Sequence, residues 1–350
     1  LATSDTKGDI QIWDAHSHTK YANCQGHQHW TWAVSFSPNG QYLASGSDDH
    51  RVKLWDVATG ECLRTYTGHT FSVNAVTFSP DGEIIASASQ DSTIRLWRTF
   101  PGSLNPELQT LTGHNGRVWS IAFSPDGSIL VSGGEDRSLR LWACPERSRW
   151  DVATGECLAE WEAHDGWVRY VAFSPDGRSI KIWDVMAATS PTSLRSRGCV
   201  LALTGHQQPV SAIAFSPDGR QLVSSSFDRT IKLWDTNSGK CLKTLLGHRS
   251  RIWTVIFHPN GQRIASGSDD NNTKIWDLKQ SRCIKTIVGH TNAILSLNLS
   301  PDGCYLASGN EDNTTRIWDI NKSKITQILR GHNNRDWPVQ FSSDGRLLAS

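Results

Sequence analysis

The sequence predicts an all-β protein built from one unit of four short antiparallel strands that is repeated along the chain. A motif recurs about every 42 residues through the 350 residues of the sequence. Within each copy, apolar residues such as Val76 and Phe78 alternate with small or polar ones, which is the period of a half-buried strand rather than of a helix. Turn sequences such as Pro-Asp-Gly stand at a fixed place in each copy, where proline fixes φ and glycine accepts positive φ.

The elements follow one another in the same order in each copy. Gly-His opens the copy, strand a runs into a Phe-Ser-Pro-Asp-Gly turn, strand b is similar to Leu-Ala-Ser-Gly-Ser, strand c ends in Trp-Asp, and strand d is similar to Glu-Cys-Leu-Arg. Most consecutive histidines of these pairs are 42 residues apart, and two steps are 45 and 50. The histidines are His27, His69, His114, His206, His248, His290 and His332, and Ala163-His164 is a degenerate copy.

Gly-His, the serine-containing strand b and Trp-Asp at this spacing resemble the WD40 repeats, and the match covers essentially the whole chain. The resemblance implies a β-propeller, in which four-stranded blades surround a central channel. Counting repeats predicts eight blades in a single propeller over residues 1–350. Strands a and b at 337–350 would then pair with strands c and d at 10–25, so that both ends of the chain share the closing blade. Seven blades with loose ends is the alternative.

One blade, at about residues 164–204, is irregular. Phe173 stands 10 residues before Trp183, against 19 between Phe36 and Trp55, so this blade lacks strand b. Segments 143–149 and 186–199 are insertions without a strand pattern and are expected to be surface loops, either products of sequence drift or docking segments. We expect this blade to be the least stable, because strands a and c would lose their ladder partner.

The WD40 resemblance also implies a buried hydrogen-bonded tetrad of histidine, serine, aspartate and tryptophan in each blade, because a buried indole N–H and an imidazole both need partners. A Ser/His/Asp set can indicate a hydrolase, but a nucleophile is rarely copied into six or more blades. We therefore predict a structural role and no catalytic residues. Lys7 replaces the first tetrad aspartate, and the representative tetrads are His69, Ser87, Asp91, Trp97 and His206, Ser224, Asp228, Trp234.

Seven tryptophans are not explained by the Trp-Asp register; Trp161 lies in strand d, and the other six follow a second pattern. They stand three or five residues after a Gly-His-type histidine, at the start of strand a, and arginines share these positions. In the propellers that the sequence resembles, this position lies on the top face, around the channel mouth. Tryptophan and arginine dominate interface hot spots, although here they could merely cap the blades. The predicted partner-binding residues are Trp30, Trp32, Arg117, Trp119, Trp167, Arg169, Arg251, Trp253, Arg335 and Trp337, with Phe227 added from the position before the tetrad aspartate.

Composition disfavours several other classes of function. Lys and Arg total 35 against 34 Asp and Glu, so no global charge favours nucleic acid or an acidic membrane. No apolar run approaches the length of a membrane span, and no signal peptide is recognisable. Four of the eight cysteines, Cys62, Cys157, Cys241 and Cys283, share one strand-d position, and the sequence has no Cys-x-x-Cys pattern. We therefore expect neither zinc nor disulfides, no cofactor, and a reducing, cytoplasmic compartment.

The sequence therefore predicts a non-catalytic scaffold that binds peptide or protein partners on its top face. Nucleic-acid or small-ligand binding at the channel mouth, or a propeller enzyme, are the alternatives. The near-identity of the repeats is similar to the long WD40 arrays of bacterial multidomain regulators, which implies a signalling or regulatory role. The first residue, which is not Met, is consistent with a piece of such a longer chain. We expect the propeller to be monomeric within that chain.

Overall fold

A computed structural model of the chain describes residues 8–14, 19–99, 106–143, 157–162, 168–173, 180–184, 203, 205–312, 314–322, 324–330 and 339–349. These residues form 30 β-strands. We number the blades by their Gly-His-type histidines, from His27 in blade 1 to His290 in blade 7. The blade that contains both ends of the chain is called the closing blade. The described residues form no helix long and apolar enough to cross a membrane.

In the first half of the chain, the closing blade supplies its outer strands and three complete blades follow. The strands of the closing blade are β1 (Ile10–Asp14) and β2 (Lys20–Cys24). Blade 1 consists of β3 (Thr31–Phe36), β4 (Tyr42–Ser47), β5 (Val52–Asp56) and β6 (Cys62–Tyr66). Blade 2 consists of β7 (Val73–Phe78), β8 (Ile84–Ser89), β9 (Thr93–Arg98) and β10 (Glu107–Thr112). Blade 3 consists of β11 (Val118–Phe123), β12 (Ile129–Gly134), β13 (Ser138–Ala143) and β14 (Cys157–Glu162).

In the second half, a short blade precedes three complete ones. Blade 4 has β15 (Val168–Phe173) and β16 (Ile180–Asp184). Blade 5 consists of β17 (Val210–Phe215), β18 (Gln221–Ser226), β19 (Thr230–Asp235) and β20 (Cys241–Leu246). Blade 6 consists of β21 (Ile252–Phe257), β22 (Arg263–Ser268), β23 (Thr273–Asp277) and β24 (Arg282–Ile287). Blade 7 consists of β25 (Ile294–Leu299), β26 (Tyr305–Asn310), β27 (Thr314–Asp319) and β28 (Lys324–Arg330), and the closing blade ends with β29 (Gln340–Phe341) and β30 (Leu347–Ala349).

Each complete blade is an antiparallel sheet in the order a, b, c, d. Strands a of neighbouring blades contact one another, as β3 does with β7 and β21 with β25, so strand a is innermost and lines the channel. The d–a loops and the b–c turns therefore form the top face, and the a–b turns form the bottom face.

The turns at the bottom face show why the motif folds in this way. In blade 2, Gly82 adopts a φ of +76°, a conformation that L side chains rarely adopt. The hydroxyl of Ser79 donates to the carboxylate of Asp81 at 2.5 Å and accepts from the backbone N–H of Ile84 at 3.0 Å. These bonds fix the reversal from strand a to strand b, and the same arrangement recurs in the other Pro-Asp-Gly turns that the structure describes.

Apolar side chains of successive blades pack face to face. Between blades 1 and 2, Leu54 contributes to the same buried cluster as Val73 and Trp97, and between blades 2 and 3 Ile94 packs in a cluster with Trp142. These residues are at most 1% exposed. Each such side chain contributes about 1.5–3 kcal/mol by its removal from water. The core of the protein is therefore divided among the seams between the blades.

The closing blade joins the two ends of the chain. Its strands are ordered β2-β1-β30-β29, and Ile12 pairs with Ala349 in an antiparallel ladder. The predicted sharing of this blade is therefore present, because the described segments from the two ends of the chain pair with each other. The predicted number of eight blades needs correction, because the described residues form seven four-stranded blades, the number given by the alternative, and one two-stranded sheet.

That two-stranded sheet is blade 4, where a second correction is needed. Strands β15 and β16 pair with each other, with Phe173 opposite Ile180 and Val168 opposite Asp184. Blade 5 shows the same register between strands a and b, with Phe215 opposite Leu222. The segment with the sequence of strand c thus takes the position of the missing strand b, so strand a keeps a ladder partner. The insertions 143–149 and 186–199 lie outside the described residues except for Ala143.

Candidate functional site: the top face

Within the part of the chain that the structure describes, five blades contain the full tetrad below the top face. In blade 2, Trp97 Nε1–H donates to Ser87 Oγ at 2.8 Å, and Ser87 Oγ lies 2.8 Å from His69 Nε2. His69 Nδ1 lies 2.8 Å from the carboxylate of Asp91. A carboxylate can only accept, so Nδ1 carries the proton and Nε2 accepts from the serine. The same chain of bonds is present in blades 1, 3, 5 and 6, which include His206, Ser224, Asp228 and Trp234.

The tetrad aspartate also fixes the loop above it. The carboxylate of Asp91 accepts the backbone N–H of Thr70 at 3.0 Å and that of Thr93 at 2.9 Å. Burial acts to raise the pKa of this carboxyl, but the bonds from His69 and Thr93 outweigh burial and hold the pKa well below its usual range. The ionised tetrad therefore ties the d–a loop of each blade to its own b–c turn.

Blade 7 departs from this pattern. Arg316 Nη2 binds the tetrad aspartate, Asp312, at 2.7 Å, and Arg316 Nη1 donates to the carbonyl of Gly289. Both ring nitrogens of His290 lack a hydrogen-bond partner among the described residues. Burial, helped by the nearby Arg316, lowers the pKa of His290 to about 3. In this blade an arginine–carboxylate ion pair takes the place of the histidine–carboxylate bond.

The backbone brings two sequence positions together on the top face. The residue before each tetrad aspartate donates its N–H to the carbonyl of the residue three places after the histidine, as Asp48 does to Trp30 at 2.7 Å and Asp269 to Arg251 at 2.9 Å. Side chains from both positions therefore lie beside each other around the channel mouth. The same bond occurs in blades 2, 3, 5 and 7.

The d–a loops of the neighbouring blades 1 and 2 each carry an exposed aromatic side chain, and we call Trp30 and Phe71 together the aromatic patch. Trp30 is 47% exposed and Phe71 is 59% exposed. Trp30 meets Trp32 edge to face with their ring centroids 5.5 Å apart, and Trp32 Nε1–H donates to Asp48 at 3.2 Å. His50 lies against Phe71 with 6.1 Å between ring centroids. The predicted residues of this blade are thus divided, with Trp30 exposed and Trp32 half-buried.

The seam between blades 5 and 6 combines aromatic and basic side chains. Phe227 of blade 5 packs edge to face on Trp253 of blade 6 at 4.8 Å, and the guanidinium of Arg251 lies 5.3 Å from the centre of the Phe227 ring. Trp253 Nε1–H donates to Asp269 at 2.5 Å. Arg251 remains exposed, whereas Phe227 and Trp253 are half-buried.

In blade 3, the arginine equivalent to Arg251 forms an ion pair with the carboxylate of its own b–c turn. The guanidinium of Arg117 lies 3.7 Å from the carboxylate of Glu135 and 6.0 Å from the centre of the Trp119 ring. Arg117 is exposed and Trp119 is half-buried. The predicted residues Trp167, Arg335 and Trp337 lie outside the described residues, as does the side chain of Arg169 in β15.

Two contributors to the top face, Phe71 and Ser72, are not among the predicted residues. In blade 2, Ser72 and Asn74 occupy the positions three and five residues after the histidine, so this blade supplied no predicted residue, yet Phe71 is the most exposed aromatic residue described. Ser72 also donates to Asp48 of blade 1 across the seam. The sequence did contain a signal for Phe71, which directly precedes the third residue after the histidine of its loop. Among the described d–a loops, blade 1 alone also has an aromatic residue there, His29.

A cavity of about 400 Å³ lies at the other end of the inner strands. Its walls belong to the bottom face, so it is separate from the residues above. Among the residues that the structure describes, no three His, Cys, Asp or Glu side chains come together as a possible metal site. The cavity is lined by Ser35, Phe36, Ser37, Pro38, Thr77, Phe78, Ser79, Pro80, Ile121, Ala122, Phe123, Gln340, Phe341 and Ser343.

Comparison with known families agrees with the repeated tetrads and the blade order. A family model described as WD domain, G-beta repeat, matches residues 18–56, 60–98, 105–143 and 155–180. A second, described as IFT122 first beta-propeller, matches residues 209–350. The chain belongs to the WD40-repeat family. WD40 propellers generally serve as protein-interaction scaffolds.

One curated relative of this WD40 chain is apoptotic protease-activating factor 1 of Danio rerio. It is 38% identical over 53 residues, which are 15% of this chain and 4% of that protein. The chain thus matches only a small part of that relative, about the length of one repeat.

Proposed function

We propose that this WD40 propeller is a non-catalytic scaffold that binds peptide or protein partners on its top face. The aromatic patch carries the proposal: Trp30 and Phe71 are 47% and 59% exposed and stand on the top-face loops of neighbouring blades. Large aromatic side chains that remain in water on one face of a protein are typical of binding surfaces. Their burial by a partner would supply the main part of the binding energy.

The polar residues of the top face support the same function. Arg117 and Arg251 are exposed beside the aromatic rings, and a guanidinium can form charge-assisted bonds with a partner. The tetrads hold the loops that carry these residues, so the surface is organised before a partner arrives. A preorganised surface binds more tightly because less conformational entropy is lost on binding.

The Ser, His and Asp of the tetrads support a structural role rather than catalysis. The serine hydroxyl lies between the indole N–H and the imidazole, and it is fully buried at Ser87 and Ser224. A nucleophile must reach its substrate, which these hydroxyls do not. The described cysteines are free thiols, which supports a reducing compartment such as the cytoplasm. A regulatory or signalling role within a longer chain is part of the same proposal.

The proposal is tested by capturing partners with the wild-type chain and with two double variants, Trp30→Ala/Phe71→Ala and Arg251→Ala/Trp253→Ala. Removing hot-spot side chains should weaken binding by more than about tenfold, so partners held by the wild type should be lost from at least one variant. Tyr21→Ala/Leu242→Ala is the matched control, because these side chains are 47% and 43% exposed and lie on strands d.

Circular dichroism would establish that the variants keep the fold. If every partner survives both double changes in folded protein, the top face is not the binding surface. A partner that proves to be a nucleic acid, or a small molecule bound in the channel, would favour the corresponding alternative.

A further inference from the structure

The seams between blades 1 and 2 and between blades 5 and 6 have the same backbone arrangement but different chemistry. At the first seam, the b–c turn contributes the carboxylate of Asp48, which accepts from Trp32 and from Ser72. At the second seam, the equivalent position is Phe227. The other described blades have Gln90, Glu135, Asp269 and Glu311 there, so only the seam between blades 5 and 6 has an apolar side chain in place of a polar or acidic one.

This replacement leaves Arg251 without a carboxylate. Across the seam, the guanidinium meets the ring of Phe227. On its own blade, Asp269 accepts the indole N–H of Trp253. Arg117 of blade 3, by contrast, is paired with Glu135. Within the described part of the chain, Arg251 therefore has a cation–π contact and no ion pair.

Two further arginines stand on the two loops that meet at this seam. Arg229 follows Phe227 by two residues in the b–c turn of blade 5, and Arg249 precedes Arg251 by two residues in the d–a loop of blade 6. Both are exposed, and no carboxylate among the described residues pairs with either guanidinium. The backbone N–H of Arg249 donates to Asp270, which holds that loop in place. We call Arg229, Arg249 and Arg251 the arginine cluster.

The described carboxylates beneath the arginine cluster form no ion pair with it. Asp228 and Asp270 are tetrad residues whose side chains are 9% and 6% exposed, and each is already bonded to its histidine. Asp269 is half-buried and engaged by Trp253. Arg251 therefore lies beside the ring of Phe227, and Arg229 and Arg249 are exposed on the same two loops, with one half-buried carboxylate in the b–c turn of blade 6.

We propose that the arginine cluster is a receptor for an acidic peptide segment of a partner, with Asp or Glu carboxylates bound by the guanidinium groups. This inference rests on the proposed function and specifies the partner's chemistry. Guanidinium groups bind carboxylates in a bidentate manner, and the Phe227–Trp253 pair offers an apolar surface for neighbouring side chains of the peptide. A nucleic acid fits less well, because Asp48, Glu135 and Glu311 continue the same ring and would repel a long polyanion.

Fluorescence anisotropy of the 350-residue chain with labelled peptides tests the inference. The test peptide alternates glutamate with phenylalanine over about twelve residues, and the control peptide has lysine in place of glutamate. Each peptide is titrated at about 50 mM and at about 500 mM NaCl, because exposed ion pairs weaken with salt. The glutamate peptide should bind more tightly than the lysine peptide, and less tightly at high salt. Arg229→Gln/Arg249→Gln/Arg251→Gln should lower its affinity about tenfold or more.

Arg220→Gln/Arg282→Gln/Arg346→Gln is the matched control, because it removes the same charge from exposed positions at the opposite ends of the strands. It should leave the affinity within about twofold of the wild type. An equal loss in the control, equal binding of both peptides, or no binding of the glutamate peptide by the wild type would overturn the proposal. So would tighter binding of an oligothymidylate or of a phosphoserine version of the peptide.

The outcomes separate this inference from the proposed function. If partners depend on the aromatic patch while the glutamate peptide does not bind, the scaffold function stands and the acidic-peptide receptor fails. If the peptide binds through the arginine cluster but no partner depends on the top face, the proposed function fails instead.

Discussion

At the residue scale, the tetrads show that a polar group can be buried without cost only when its whole set of partners is present. In blade 2, the indole, hydroxyl, imidazole and carboxylate form one continuous chain of hydrogen bonds. In blade 7, Trp318 still donates to Ser308, but the carboxylate of Asp312 binds Arg316 instead of His290. Within the described residues, the imidazole of His290 is therefore left buried with both nitrogens unsatisfied, which costs free energy.

His290 makes the stability of the protein dependent on pH. Its pKa is about 3 in the folded chain, against an ordinary value of 6.5. Below pH 6.5 the unfolded chain binds a proton that the folded chain does not, so the free energy of unfolding should fall by up to about 1.4 kcal/mol per pH unit as the pH decreases toward 3. His290→Leu should remove this contribution and flatten the curve.

Urea unfolding followed between pH 7 and pH 4.5 measures the effect. His29→Leu, which replaces an exposed histidine, serves as the control and should keep the slope of the wild type. Identical slopes for the wild type and His290→Leu would contradict the assignment of a buried, unpaired imidazole.

At the scale of the element, blade 4 shows that a strand's position follows from the available partner rather than from its motif. Ile180–Asp184 has the sequence of strand c, yet it pairs directly with Val168–Phe173. With strand b absent, the nearest antiparallel segment along the chain satisfies the backbone of strand a, because unpaired buried amides are costly. Among the described residues, blade 4 has one ladder where a complete blade has three.

Amide hydrogen exchange should therefore be faster in β15 and β16 than in the matched strands β17 and β18 of blade 5. Fewer ladder bonds and less packing lower the free energy of local opening. Mass-spectrometric exchange on the native protein measures both pairs in one experiment. Uniform protection in blades 4 and 5 would show that the two-stranded sheet is as stable as a complete blade.

Local sequence signals predicted most of the strands and the tetrads, because turns and alternating residues act over a few positions. Other features depend on contacts between distant residues. For example, β16 has the sequence of strand c but pairs with β15 in the place of strand b. Likewise, Arg316 competes with His290 for the carboxylate of Asp312 and binds it, which the repeat motif does not predict. Phe71 was missed for a different reason, since its exposure follows from the path of one loop rather than from any periodic pattern.

At the scale of the whole molecule, the seams between blades hold the ring together. Apolar clusters fill them, and hydrogen bonds join strands a across them, as from Asn74 to the carbonyl of Val118 and from Ser211 to that of Ile252. The closing blade depends on the same type of packing, because Phe341 and Leu348 contribute to a cluster with Ile317 of blade 7. Stability is therefore spread along nearest-neighbour contacts.

Deleting residues 339–350 should open the ring. The deletion removes β29 and β30, leaves β1 with an unpaired edge and exposes the apolar surface of blade 7. We expect a lower midpoint of thermal unfolding and concentration-dependent self-association, because open strand edges pair with other chains. Calorimetry and light scattering measure the two effects, and Arg346→Ala, an exposed change in the same segment, should show neither. An unchanged midpoint and a monomeric deletion variant would mean that the closing blade contributes little.

The closing blade also sets an order of assembly for the newly made chain. Ser343 donates to the carbonyl of Pro38, a contact between residues 305 positions apart. During synthesis the hairpin of β1 and β2 must therefore wait, with one edge uncovered, while every other blade emerges and folds. Bringing such distant segments together carries the largest loop-closure entropy in the molecule, so this step is expected to be the last on the folding pathway. Until this step occurs, the ring of blades is not closed and the hairpin of β1 and β2 has an unpaired edge. A chaperone that covers this hairpin would therefore act when the chain is most prone to aggregation.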